Sequence, residues 1–107
     1  NGSLIIHGIM IGANGACMAF ANIGSVAAHK MFEYIKLNQF QDALDLQERI
    51  TKIDYFIMKR GVGCLKAALE ILGFELGSTR KPQPPLDKKN LLLLEKELES
   101  FKPDLLL

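Results

Sequence analysis

Apolar and polar positions change their rhythm twice along this chain. Leu4 to Ile11 is a short apolar run that stops at Gly12, and it predicts a first helix. Gly12-Ala13-Asn14-Gly15 is turn chemistry, two glycines around an Asn that tolerates left-handed backbone angles. Ala16 to Ala21 follows as an apolar hexamer without alternation, the pattern of a strand buried on both faces in a parallel sheet. Asn22, Gly24 and Ser25 mark the strand exit, with Ser25 placed to cap the next helix. From Val26 the period becomes helical, through Met31, Phe32 and Ile35.

The remainder reads as helices. Asn38 breaks the pattern and is expected to cap a helix, with Gln41 three residues on. That helix carries a stripe of Phe40, Ala43, Leu44, Gln47, Ile50, Ile53 and Ile57, with Asp42, Asp45, Glu48, Arg49 and Lys52 solvated. Lys59 and Arg60 suit its negative end, and Gly61 follows. Val62 to Leu72 is a compact apolar helix stopped by Gly73. Gly77 to Pro85 contains three prolines, which predicts an extended connector. Asp87 caps a last helix through Leu91, Leu94, Leu98 and Phe101, which Pro103 stops; the apolar tail Leu105-Leu106-Leu107 needs something to pack against. Helix, turn, buried strand, loop, helix is one segment of a repeating βα architecture, and a single such strand needs neighbours.

Composition narrows the picture. The 107 residues are 49% apolar, which excludes intrinsic disorder. Lys and Arg number 13 against 12 Asp and Glu, so no basic excess supports nucleic-acid binding. Two cysteines make neither a disulfide framework nor a metal cluster and fit a reducing compartment. His7 and His29 have no partner at ligand spacing, so no metal site is expected. The charges all lie from Lys30 onward, and the uncharged stretch Leu4–Ala28 is long enough for a membrane span. Its His7, Asn14, Asn22 and Ser25, four glycines and lack of a preceding basic cluster argue against the span and for a soluble α/β segment instead.

The residues also carry a resemblance. Gly12-Ala13-Asn14-Gly15-Ala16-Cys17 with Ala21-Asn22-Ile23 resembles the last-strand signature of the dihydrodipicolinate synthase / N-acetylneuraminate lyase family. Phe40 to Arg49, Gly61 to Leu69 with Leu72-Gly73-Phe74, and Arg80 with Pro82 to Leu86 resemble its following motifs in order. The resemblance implies an α/β fold, a (β/α)8 TIM barrel with a C-terminal helical extension. This mostly α-helical chain would be its last third, since such a barrel needs ~250 residues. Residues 1–38 would end the barrel (helix, last barrel strand, helix) and 39–107 would form the C-terminal helical region.

The function so implied is a pyruvate-dependent Schiff-base lyase or synthase, a carbon–carbon lyase acting on 2-oxo acids. Its catalytic lysine and tyrosine would lie upstream, so the chain alone is expected to be inactive, with no catalytic residue of its own. Lys66 is read as a helical lysine whose stem covers apolar surface. Cys17 and Met18 are expected to line the substrate pocket, Cys17 beside the 2-oxo acid and Met18 narrowing it; the alternative for Cys17 is a small buried hydrophobe. Asn22 is read as ordering backbone. Ser3 is placed to hydrogen-bond a hydroxylated second substrate, while the absence of acidic residues at Gly2 and Ser3 argues against sialic acid. No cofactor is implied; a cytoplasmic homo-oligomer, tetramer or dimer, is. A 4-hydroxy-2-oxoglutarate or 2-keto-3-deoxy sugar acid aldolase of the same family is the alternative. From other classes come a small membrane-anchored helical interaction protein spanning at Leu4–Ala28 and a stand-alone helical binding module.

Overall fold

The computed structural model describes residues 1–102. A 3-10 turn, Gly2–Leu4, leads into α1 (Ile5–Met10), followed by α2 (Ala21–Lys36), α3 (Phe40–Arg60), α4 (Val62–Ile71) and α5 (Lys88–Phe101). Each boundary has a local cause. The Asn1 side chain accepts from the Ser3 N–H at 3.0 Å and starts the first turn. Gly12, at φ +101°, turns the chain out of α1 where a side chain would be strained. Asp87 accepts from the Asn90 N–H at 2.8 Å and from its side-chain amide at 2.6 Å, starting α5 as expected. These bonds, the backbone one foremost, hold the Asp87 carboxyl below the usual carboxylate range.

α3 is the axis of the fold, against which the first turn and all four other helices pack. Ala43, Leu46, Gln47, Ile50, Ile53, Asp54 and Ile57 form its buried stripe. Ile23 and Met31 of α2, Cys64 and Ala68 of α4, and Leu94, Leu98 and Phe101 of α5 complete the core. Phe20 is buried against the end of α5, its ring 5.8 Å from that of Phe101 and edge-on to it at 76°. The same ring lies over Gly24, where a Cβ would stand 2.1 Å from Phe20 Cζ. That approach explains why α2 kinks at Gly24, the one non-helical residue inside it.

Four local expectations are corrected. No strand occurs among the described residues: Gly15 to Met18 have no regular structure, and Ala21 already begins α2. A strand is stabilised by ladders to its neighbours, and these residues supply no neighbour. For the same reason Ala16 and Cys17 are exposed rather than buried on both faces. Ser25 lies inside α2 and not ahead of it, because the helix begins four residues earlier and Phe20 is its cap residue. Asn38, at φ +58°, closes α2 in the left-handed conformation, while Gln39 caps α3 without a side-chain bond and Gln41 bonds Asp45. Phe40 and Leu44, expected on the buried stripe, are 45% and 52% exposed, because the packed face of α3 is rotated toward Leu46.

The uncharged stretch is divided among α1, an irregular segment and the start of α2, and no helix among the described residues is long and apolar enough to cross a membrane. The proline-rich connector runs without regular structure against α4, where a Cβ on Gly63 would meet the Pro84 carbonyl oxygen at 2.5 Å. Pro103 and the Leu105–Leu107 tail lie outside the described residues.

Cys64 is fully buried, and burial pushes its thiol up to about 11, with the Arg60 charge pulling the other way. The fold therefore favours the protonated thiol. Its contribution to stability is complete below pH 9, the ordinary value for the group, and is lost as pH rises to about 11. A shift of this size corresponds to about 2–3 kcal/mol. Urea denaturation at pH 8 and pH 11 should show wild type losing about that much more stability than Cys64→Ala; equal losses would remove Cys64 from the pH dependence.

Candidate functional site

The residues expected to line a pocket fall at the N-terminal end of the molecule. The turn after α1 brings the irregular segment back past the chain start, and a small cleft of ≈ 90 Å³ opens between them. Asn1, Leu4, Ile9, Ala16, Cys17 and Met18 are among its walls. The cleft thus unites Cys17 and Met18, which adjacency in sequence already suggested, with Asn1, which it did not. The Cys17 thiol is free and exposed, whereas Met18 is half-buried and packs onto the core. Asn22 donates to the Ala19 carbonyl at 2.9 Å and so orders backbone, as expected.

Ser3 is not a wall of this cleft. Its N–H is shared between Asn1 Oδ1 at 3.0 Å and Asp54 Oδ2 at 3.3 Å, and its hydroxyl donates to the Asn1 side chain. Ser3 therefore stands behind Asn1, one hydrogen bond removed from the cleft.

Behind both lie two residues whose part in the site was not foreseen. Gln47 and Asp54 of α3 are 7% and 2% exposed. Gln47 Oε1 accepts from the Ile6 N–H at 2.9 Å, and its Nε2 donates to the Gly2 carbonyl at 2.9 Å. The Asp54 carboxylate packs against Gly2, where a Cβ would stand 3.0 Å from Asp54 Cγ and 3.0 Å from Phe20 Cβ. The available signal was polarity on an apolar stripe: a buried amide or carboxylate must find hydrogen-bond partners, and here they are backbone groups of the first turn and of α1.

The other candidates fall elsewhere. Lys66 Nζ donates to the Ser78 carbonyl at 2.8 Å, so its amine ties the connector to α4. His7 is exposed, and His29 faces Glu33 at 3.6 Å on the surface. No group of three His, Cys, Asp or Glu that could hold a metal ion occurs among the described residues. Chemically, the cleft offers an amide, a thiol, a thioether and backbone groups. It can shape and orient a bound molecule, and a general base or an imine-forming amine at this cleft would have to come from other residues.

The comparisons with known proteins place these features in a family. Residues 2–101 match the dihydrodipicolinate synthetase family. The 4-hydroxy-tetrahydrodipicolinate synthase of Clostridium tetani is 30% identical over 101 residues, covering 94% of this chain and 34% of that protein. The N-acetylneuraminate lyase of Fusobacterium nucleatum is 25% identical over 89 residues, covering 82% of this chain and 31% of its own length. In structure, the dihydrodipicolinate synthase DapA-2 of Bacillus anthracis superposes with a TM-score of 0.88 at 20% identity, over 94% of this chain and 35% of that one. The chain thus spans about a third of the length of the curated relatives it matches. Its fold is that of the C-terminal part of a (β/α)8 barrel with its helical extension, with helices and no strand among the described residues. The relatives it matches are named for a synthase and for a lyase activity. The chain belongs to the dihydrodipicolinate synthetase family.

Proposed function

We propose that this chain closes the barrel of a Schiff-base lyase or synthase acting on pyruvate or another 2-oxo acid, with residues 1–38 ending the barrel and 39–107 forming the helical region behind it. The observation that carries the proposal is the match over residues 2–101 to a family with both synthase and lyase relatives, together with the cleft that Cys17 and Met18 share. The reacting amine would be a lysine on another part of the barrel. It adds to the 2-oxo carbonyl and loses water, leaving a protonated imine. That imine draws electrons from the neighbouring carbon, so a carbon–carbon bond can form or break there without a metal or an organic cofactor. Desolvation keeps such a lysine nucleophilic near neutral pH.

In this reading Cys17 lies beside the 2-oxo acid, Met18 narrows the pocket, and Ser3 acts on the second substrate through Asn1. Their place at the barrel mouth is supported by the general location of barrel active sites at the C-terminal ends of the strands. The assembled enzyme is read as a cytoplasmic homo-oligomer, a tetramer or dimer.

Borohydride reduction in the presence of pyruvate tests the reading. A full-length protein should acquire a stable adduct on one lysine other than Lys66. The 107-residue chain alone should acquire none and show no turnover. Absence of any lysine adduct in the full-length protein would overturn the proposal.

A further inference from the structure

We infer that Gln47 and Asp54 are positioning residues that, through the first turn, set how Asn1 in the wall of the cleft is presented to the second substrate; the inference rests on the function proposed above. The wall cannot hold itself. It is a three-residue 3-10 turn followed by a six-residue helix, too short to be stable alone. α3 holds it from behind with side chains seven residues apart, two helical turns along one face.

Each contact fixes a different atom of the wall. Gln47 uses both ends of its amide at once, accepting from the Ile6 N–H and donating to the Gly2 carbonyl, each at 2.9 Å, so a shift of one residue would break both bonds. Asp54 Oδ2 takes the Ser3 N–H at 3.3 Å, and the carboxylate fills the space that any side chain at position 2 would need. Ser3 in turn gives its N–H and hydroxyl to the Asn1 side chain, and Asn1 lines the cleft with Cys17 and Met18. A continuous chain of hydrogen bonds therefore runs from the buried face of α3 to the one primary amide at the cleft. Displacing a polar group by about 1 Å can cost on the order of 100-fold in a positioned reaction, so buried residues out of substrate contact can still decide selectivity.

The test uses the full-length protein with pyruvate and a panel of acceptor aldehydes, from glyoxylate to four-carbon amino and hydroxy aldehydes. Gln47→Leu and Asp54→Ala should each raise the acceptor KM about tenfold, while the rate of pyruvate trapping by borohydride changes less than threefold. Asp54→Asn, which keeps an oxygen acceptor for the Ser3 N–H, should restore the acceptor KM to within about threefold of wild type. Ile53→Val destabilises the same helix without touching the network and should leave the acceptor KM in place. If Gln47→Leu does not fold, the Asp54 pair gives the same comparison. An unchanged acceptor KM in Asp54→Ala overturns the inference, as does a matching rise in Ile53→Val or an equal loss of pyruvate trapping. Wild type that traps pyruvate yet turns over no aldehyde in the panel also overturns it, because no selection is left for the wall to set. Wild type that traps no pyruvate overturns the function beneath it.

Discussion

Truncating Ile53 to alanine should cost about 2–5 kcal/mol of folding free energy, whereas truncating Leu44 on the same helix should cost about 0.5 kcal/mol or less. Both are large aliphatics on α3, and their environments decide the difference. Ile53 is 1% exposed at the centre of a helix that the first turn and every other helix pack against. Removing its side-chain methyls leaves a cavity that several elements cannot all collapse into at once. Leu44 is 52% exposed and has little burial to lose. Urea denaturation of the two variants checks the contrast at constant slope. Comparable losses would mean that Leu44 is covered and that the packed face of α3 lies where the simple periodic reading puts it.

That contrast also marks how far the amino-acid pattern could be read. The five helices were legible because long amphipathic runs, Gly61 and Gly73 as stops and Asp87 as a cap are local signals. The phase of α3 was legible only in its middle. Ala43, Ile50, Ile53 and Ile57 are buried as the period predicts, but at the N-terminal end the choice between Leu44 and Leu46 depends on where α1 and α2 sit. No helical period contains that information. The buried-strand pattern of Ala16 to Ala21 was read for what it would do beside neighbouring strands, and the described residues provide none, so the pattern has nothing to pair with.

The site divides along the same line. Cys17 belongs to the motif that carries the family resemblance, Met18 is the bulky residue beside it, and both line one cleft. Ser3 lies one hydrogen bond behind Asn1, a separation that no local pattern encodes. Helical period places Gln47 on the apolar stripe, and nothing local marks Asp54. The Asp54 partner is a backbone N–H 51 residues away, a contact that exists only once the first turn has folded onto α3.

Alkylation should separate the two cysteines and, with them, the cleft from the core. In the full-length protein iodoacetamide at pH 8 should modify Cys17 and spare Cys64. Cys17 is exposed, while Cys64 is fully buried with its thiol pushed up to about 11, so almost none of it is thiolate at that pH. The added carboxamidomethyl group is far larger than the thiol hydrogen it replaces and would occupy a cleft of only ≈ 90 Å³. If Cys17 lies beside the 2-oxo acid, the modified protein should trap pyruvate on the order of 100-fold more slowly, the scale expected when a reacting group is kept from its attack geometry. Saturating pyruvate should protect Cys17 from the reagent, and Cys17→Ala should trap pyruvate in the presence of iodoacetamide without loss. Full labelling of Cys17 with undiminished trapping would remove the residue from the substrate pocket and leave it as a small apolar wall. Loss of trapping in Cys17→Ala on addition of the reagent would point instead to another alkylated group.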